Sequence, residues 1–246
     1  MGAAKTGRAE VVGKLVVWQP GALAGSDGVG SALFERLGVA RVDSLEALME
    51  ALKVLHVLGP LKGGRVGAMS TSGGDLILLA DAMGTSLTMP PLSEEVSQRL
   101  SAVLHERMVA ANPFDFRVFH WKDEDQMAAD FRAFLSEGFD VSLCLLDYPR
   151  EDSCDQSTWD GAERGFVRAA KQTRTKGAVL STFSDTISES VAERLMKDGV
   201  VALAGIGAGI AGIQAAVDVG TAWSRPPSPP LLKNFGQLRD GPAVVL

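Results

Sequence analysis

The feature that most constrains the fold of this chain is the regular alternation of short apolar runs with segments of helical periodicity. The apolar runs are GRVGAMS (64–70), VSLCLL (141–146), GAVLSTF (177–183) and VVALAG (200–205). Each run has the length of one strand, and the segment after it places apolar residues at helical spacing. Strands that alternate with helices in this way form βαβ units and a parallel sheet. The sequence therefore predicts an α/β protein.

A fifth strand is predicted in TSLTMPPLS (85–93), early in the alternating region. Helices are predicted at 71–84, 93–108, 123–138, 158–172, 188–199 and 209–220. About five parallel strands fit a flavodoxin-like, doubly wound sheet in the order 2-1-3-4-5. Ligands of such sheets bind in the crevice at the carboxyl ends of strands one and three, so the loops after these two strands are the first candidates for a site.

The regions outside this unit differ in character. Leucines recur near helical spacing across residues 30–57, with a break at Gly38 and a typical helix start at Asp43-Ser44. The last residues are rich in proline, which is typical of a linker or of a tail that docks on a neighbour. We therefore expect an N-terminal segment with a helical connection (1–57), a flavodoxin-like domain (58–223) and a proline-rich tail (224–246).

Charge and cysteine content exclude several classes of function. The formal net charge is −6 and no run of Lys or Arg stands out, which argues against a nucleic-acid partner. No apolar run is long enough to cross a bilayer, so no membrane partner is expected. Of the two cysteines, Cys144 lies in an apolar run and is predicted to be a buried thiol. This cysteine usage favours a reducing compartment, and we expect a cytoplasmic protein.

The loop after the first strand, Ser70-Thr71-Ser72-Gly73-Gly74, has three hydroxyls and two glycines at a helix start. Free backbone N–H groups and the positive end of the helix dipole attract phosphate at such a place. The same residues also suit an ordinary Ser/Thr cap, which any helix requires. From the residues alone the two interpretations weigh about equally.

The loop after the third strand carries Asp147 at the end of an apolar run and Arg150 three residues later. Asp147 is predicted to face the crevice, and the Arg150 guanidinium is suited to bind a carboxylate or phosphate. In NPFDF (112–116), Asp115 is expected either to cap the helix near 124 or to face the crevice, with capping favoured.

Two further patterns favour structural roles. The glycine-rich GIGAGIAG (205–212) follows the last strand and lacks the later acidic residue of a dinucleotide-binding fingerprint, so its glycines are predicted to let a helix lie close to the sheet. His56, His105 and His120 have no metal-ligand spacing and are predicted to be structural, with His120 the most exposed. No metal site is expected.

Taken in order, these segments resemble the NDP-forming acyl-CoA synthetases, relatives of succinyl-CoA synthetase. The similar segments are KTGRAE (5–10), a connection at 21–52, GRVGAMSTSGGDLILLADAMG (64–84), NPFDF, LLDYPR (145–150) and the glycine-rich region at 199–216. They resemble the end of the family's CoA-ligase domain followed by its flavodoxin-like third domain. The resemblance implies an acid-thiol ligase, which makes acyl-CoA, ADP and phosphate from a carboxylic acid, CoA and ATP.

The resemblance also implies roles for individual residues. The helix that begins at Ser70–Gly74 would point its N-terminus at a phosphohistidine. The anion expected at this helix start would then be the phosphoryl group of that histidine. The loop from Asp147 to Arg150 would lie near the acyl or phosphate pocket, and Asn112 and Asp115 would help to shape the same face. CoA and ATP with Mg²⁺ would be bound mainly by CoA-binding and ATP-grasp domains or subunits, in a homo- or hetero-oligomer.

One position departs from the family pattern. Where the family has Ser-His-Thr, with the histidine phosphorylated, this chain has Trp18-Gln19-Pro20. The Gln19 amide cannot carry a phosphoryl group as an imidazole does. Two hypotheses remain: a subunit or fragment of an acyl-CoA synthetase that is inactive alone, or a non-catalytic partner that binds CoA or an acyl ligand, or regulates the enzyme.

Overall fold

A computed structural model describes residues 2–4, 27–84 and 86–226, and shows two parallel sheets. The strands are β1 (Gly2–Ala4), β2 (Ala40–Val42), β3 (Val66–Ser70), β4 (Phe114–Asp115), β5 (Val141–Leu145), β6 (Gly177–Ser181) and β7 (Val201–Ala204). The larger sheet has the order β4-β3-β5-β6-β7. Counted within that sheet, this is the predicted order 2-1-3-4-5, and the α/β, flavodoxin-like fold is confirmed.

Eight helices surround the sheets in the described part of the chain. They are α1 (Asp27–Leu37), α2 (Leu45–Val57), α3 (Gly73–Ala82), α4 (Glu94–Ser101), α5 (Glu124–Leu135), α6 (Asp160–Thr173), α7 (Glu189–Lys197) and α8 (Ile206–Ser224). Helices α4 to α7 cover one face of the larger sheet, and α3 and α8 cover the other. Helix α2 packs beside α8 on that same face, where its Val54 joins the core and its Glu50 accepts the Ala204 N–H of β7. Because both faces are covered, β3, β5 and β6 are buried along their whole length.

The second strand of the sheet differs from the prediction. The predicted strand at 85–93 contributes a single parallel bridge, between Thr88 and Arg65, whereas β4 supplies the edge strand. Thr88 exchanges two backbone hydrogen bonds with Gly64 and Val66, both of 2.8 Å. The prolines that follow cannot donate backbone hydrogen bonds to β3, which explains why the pairing stops there.

The N-terminal extension also differs from an all-helical segment. Strand β2 separates α1 from α2 and pairs in parallel with β1. Gly38 ends α1 in the left-handed region (φ 64°), which glycine adopts without a Cβ penalty. The predicted start of α2 is confirmed, because the Ser44 hydroxyl accepts the Ala47 N–H at 3.0 Å.

Glycines let α8 lie close to the sheet, as predicted, and also close to α2 and to the backbone of Leu61. A Cβ at Gly209 would lie 2.6 Å from Leu180 of the sheet, and a Cβ at Gly212 would lie 2.8 Å from the α2 backbone. A Cβ at Gly220 would lie 1.8 Å from the Leu61 carbonyl oxygen. Most of the glycine-rich motif therefore lies inside α8, where it packs against protein rather than forming a strand-to-helix loop.

Three smaller findings complete the fold. Cys144 is fully buried, and burial raises the pKa of its thiol, which confirms the predicted core position. The predicted helix at 93–108 ends at Ser101. Among the described helices, none combines the length and apolar content needed to cross a membrane.

Candidate functional site

A cavity of about 330 Å³ lies at the carboxyl edge of the larger sheet, beside the ends of β3 and β5. This is the crevice position expected for the observed strand order. Its lining combines two carboxylates, two indoles, a hydroxyl and aliphatic side chains: Thr71, Asp75, Val118, Trp121, Leu145, Leu146, Asp147 and Trp159. A larger cavity of about 620 Å³ lies between α1 and the last turn of α8, far from the strand ends. The smaller cavity is therefore the better candidate.

The loop from Ser70 to Gly74 caps α3 by side-chain hydrogen bonds. The Ser72 hydroxyl accepts the Asp75 N–H at 3.3 Å. The Ser70 hydroxyl accepts the Ser72 N–H at 3.0 Å and donates to the Asp75 carboxylate at 3.4 Å. The structure thus shows that this loop caps α3, and the cap holds the Asp75 carboxylate at the helix start.

The backbone N–H groups of Gly73 and Gly74 belong to the first turn of α3, where no carbonyl of the same helix can accept them. Both glycines are exposed. The helix dipole favours an anion here, but acidic side chains already stand nearby. A Cβ at Gly73 would lie 3.7 Å from the Asp115 carboxylate, and Asp75 lies on the cavity side. The start of α3 is therefore more acidic than its own loop sequence indicates.

Asp115 does not cap α5, because Asp123 does so by accepting the Gln126 N–H at 3.0 Å. Instead, Asp115 pairs with Ser70 across the β3–β4 ladder. Its carboxylate accepts the Arg117 N–H at 3.1 Å and lies 3.7 Å from the Arg117 guanidinium. Asp115 thus lies next to the start of α3 but is not part of the cavity lining, and its role at the crevice stays a prediction.

Asn112 lies along the edge of β3 and hydrogen-bonds only backbone groups. Its amide nitrogen donates to the carbonyls of Val66 and Pro90, at 2.9 and 2.8 Å, and its oxygen accepts the Ala68 N–H at 3.0 Å. The side chain fills the gap between Thr88 and β4, where no described residue pairs with this edge of β3 by its backbone. Asn112 therefore shapes the sheet edge and does not line the cavity.

Asp147 lines the cavity and is held firmly. One carboxylate oxygen accepts the Thr182 N–H at 2.9 Å and the Thr186 hydroxyl at 2.6 Å. Arg150, by contrast, forms an ion pair with Asp152 on the surface and is not part of the lining. The structure thus separates these two residues, and the role of Arg150 in ligand binding stays a prediction.

Sequence reasoning identified Thr71 and Asp147 but missed the other six lining residues, of which three carry a charge or an indole. Asp75 directly follows the loop from Ser70 to Gly74, and the signal available for it was an acidic residue in the first turn of a helix. Trp121 and Trp159 contact each other edge to face, with ring centroids 5.8 Å apart. Trp121 also stacks on the buried ring of Phe116. The only signal for the tryptophans was their position in polar loops near strand ends.

A charged network around the buried Glu163 carboxylate supports the loop that carries Asp147. The Tyr148 hydroxyl donates to the Glu163 carboxylate at 2.7 Å, and Arg194 donates two hydrogen bonds to the same carboxylate at 2.7 and 2.8 Å. Burial and the neighbouring Glu163 raise the pKa of Tyr148, and the hydrogen bonds to Glu163 raise the pKa of Arg194. The network joins the loop after β5 to α6 and α7.

The prediction that His120 is the most exposed histidine is wrong, because His56 is exposed whereas His105 is partly buried and so is His120. Its ring nitrogen lies 2.6 Å from the Asp130 carboxylate, and its side chain is only 19% exposed. Burial raises the pKa of Asp130 although the contact with His120 opposes this. His105 stacks on Phe119, with ring centroids 4.1 Å apart. Among the described residues, no group of three His, Cys, Asp or Glu side chains is arranged to hold a metal ion.

Comparison with known proteins finds relatives among acyl-CoA ligases. No protein-family model matches the sequence. An acetate–CoA ligase (ADP-forming) of Methanocaldococcus jannaschii is 25% identical over 114 residues, which make up 46% of this chain and 16% of that protein.

Among solved structures, the dinucleotide-forming acetyl-coenzyme A synthetase 1 of Ca. Korarchaeum cryptofilum has the same fold. The TM-score is 0.68 for its apo form and 0.70 for its complex with phosphate and ADP. In both cases the identity is 19%, and the match covers 90% of this chain and 47% of that chain. A Pyrococcus horikoshii OT3 protein matches with a TM-score of 0.67, over 82% of this chain and 46% of that chain. The present chain thus spans less than half the length of these relatives.

Proposed function

We propose that this chain is a subunit or fragment of an NDP-forming acyl-CoA synthetase, which forms acyl-CoA, ADP and phosphate from a carboxylic acid, CoA and ATP. The observation that carries the proposal is the sequence match to the acetate–CoA ligase of M. jannaschii. The flavodoxin-like sheet shared with acetyl-coenzyme A synthetase 1 supports it. Within that enzyme the chain would correspond to the end of the CoA-ligase domain and the flavodoxin-like domain.

The part of the chain in this reaction would be the start of α3. The N–H groups of Gly73 and Gly74 are suited to donate hydrogen bonds to a phosphoryl group, as N-terminal helix turns do. Thr71 adds a hydroxyl at the same place. The flanking carboxylates weaken this site for a free anion, so a phosphoryl group would have to be presented by a neighbouring domain.

The cavity itself does not fit ATP or CoA. Its described lining holds two carboxylates and no cationic side chain, whereas a phosphate chain requires positive groups or bound metal. The nucleotide and CoA would therefore be bound by ATP-grasp and CoA-binding domains or subunits. We expect the isolated chain to make no thioester from acid, CoA and ATP.

Position 19 offers the decisive experiment, although it lies outside the described residues. The purified chain is mixed with the separately expressed ATP-grasp part of a relative and with labelled ATP. We expect Gln19→His to acquire acid-labile label, as phosphohistidine does, while the parent chain and Gln19→Asn do not. Failure of Gln19→His to take up label with a catalytically competent ATP-grasp part would count against the proposed role.

A second candidate function is a non-catalytic partner that binds CoA or an acyl ligand, or regulates a ligase. Gln19 at the position of the family histidine favours it. The acidic cavity favours the regulatory form of this candidate, because its charge opposes CoA as well as the phosphoryl anion that the family site requires. Thioester formation by the parent chain with complementary domains would reject this alternative.

A further inference from the structure

The cavity at the carboxyl edge of the sheet combines aromatic walls with uncompensated negative charge. Trp121 and Trp159 both line it, with ring planes at 88° to each other. Stacking on Phe116 supports Trp121, and Trp159 immediately precedes the first turn of α6. Two indoles held at a right angle by protein contacts form a preorganised corner rather than a mobile surface patch.

The charge in this corner comes from Asp75 and Asp147. The Asp75 carboxylate accepts the Ser70 hydroxyl, and the Asp147 carboxylate accepts a hydroxyl and a backbone N–H. Within the described residues neither carboxylate forms an ion pair with Lys, Arg or His. The nearby guanidinium groups of Arg117 and Arg150 are paired with Asp115 and Asp152. The lining therefore carries two negative charges that no lining side chain neutralises.

This combination selects the chemical class of the ligand. An indole face attracts a cation through its quadrupole, and carboxylates add Coulomb attraction. Val118, Leu145 and Leu146 favour a cation with apolar substituents over a hydrated metal ion. Metal binding is further disfavoured because the described residues place no three suitable ligands together.

We propose that the cavity binds a small organic ammonium ion, either a quaternary amine or a protonated, alkylated amine. A volume of about 330 Å³ leaves room for such a head group with its substituents. The assignment is independent of the phosphoryl role of α3, because it uses the cavity side chains rather than the backbone N–H groups of Gly73 and Gly74.

The test is a titration of the full chain with tetramethylammonium chloride, against sodium chloride at equal ionic strength. The indole N–H signals of Trp121 and Trp159 are followed by two-dimensional NMR. We expect saturable shifts of both signals with tetramethylammonium only. Absence of saturable shifts, or equal shifts with sodium, would overturn the proposal.

Variants identify the carboxylates that contribute. Asp75→Asn and Asp147→Asn should each weaken tetramethylammonium binding about five- to tenfold, because each removes one of the two charges while keeping the side-chain shape. Asp81→Asn is the matched control, since Asp81 is an exposed carboxylate on the same helix outside the lining. Equal affinities of all three folded variants would contradict the assignment, with one-dimensional spectra reporting folding.

A parallel titration with inorganic phosphate separates this inference from the proposed function. Phosphate shifts confined to the Gly73 and Gly74 amides would support the phosphoryl role and leave the ammonium site standing. Phosphate shifts of both indoles that strengthen in Asp75→Asn would instead make the cavity an anion site, which rejects the ammonium proposal.

Discussion

Glu163 and Arg194 form an ion pair whose two members should respond very unequally to mutation. The Glu163 side chain is 4% exposed, whereas the Arg194 side chain is 49% exposed. Arg194→Met leaves a buried carboxylate with Tyr148 as its remaining described partner. Glu163→Gln leaves a guanidinium that water can reach, and the amide oxygen can still accept the Tyr148 hydroxyl.

The exposures set the expected magnitudes. Removing one partner of a fully buried pair costs about 3–5 kcal/mol, and partial exposure of the arginine places Arg194→Met near the lower limit, at about 3 kcal/mol. Glu163→Gln should cost only about 1–2 kcal/mol, because a half-exposed cation recovers solvation. For a domain of this size the difference corresponds to a melting temperature lower by about 2–8 °C in Arg194→Met.

Urea denaturation followed by far-ultraviolet circular dichroism measures both free energies of unfolding, with the Glu163→Gln/Arg194→Met double variant closing the cycle. We expect the double variant to lose less stability than the sum of the single variants. A cost of Glu163→Gln equal to or above that of Arg194→Met would refute the argument, because burial would then not determine which charge needs its partner.

Three other predictions follow from packing, hydrogen bonding and burial. Gly220→Ala should lower the free energy of unfolding by more than about 3 kcal/mol, because the new Cβ would lie 1.8 Å from a carbonyl oxygen. Gly207→Ala, whose Cβ would have no atom within 4 Å, should be neutral or stabilising by up to about 1 kcal/mol. Urea denaturation measures both. Asn112→Ala should cost about 2–3 kcal/mol and speed hydrogen exchange of the Ala68 amide, which loses its acceptor. Burial raises the pKa of Asp130 above 3.8, so its protonated form favours the folded state, and this contribution is lost as pH rises from 3.8 through the raised pKa. Asp130→Asn has no group to titrate here, so the free energy of unfolding of the parent, relative to that of the variant, should fall as pH rises through this range. Urea titrations at several pH values measure both free energies. A difference between them that does not change with pH would contradict the assignment.

The acidic surroundings of α3 bear on the two proposed functions. A phosphoryl group approaching Gly73 would meet the carboxylates of Asp75 and Asp115, whereas an ammonium ion in the cavity would be attracted by Asp75 and Asp147. An acyl-CoA synthetase piece therefore needs its neighbouring domains to deliver the phosphoryl group. A non-catalytic binding protein would instead use the charges of Asp75 and Asp147 to bind a cation without help from another domain.

Much of the fold was determined by local sequence. Strand and helix periods differ, so the alternation of apolar runs with amphipathic segments predicted the parallel sheet and its order. Capping depends on residues three positions apart, and the predicted cap at Ser44 is present. For the same reason the hydroxyl-rich loop before α3 was recognised as a helix start.

The arrangement of the site was decided by tertiary structure. β4 has only two residues, too few for a periodic signal, and the side chain of Asn112 completes the edge of β3 from a loop distant in sequence. Asp75 and Trp159 border one cavity although 84 positions separate them in the sequence (159 − 75). Periodicity along the chain reports only which face of an element is buried, whereas the charge and shape of a cavity depend on loops that parallel strand pairing brings to one edge of the sheet.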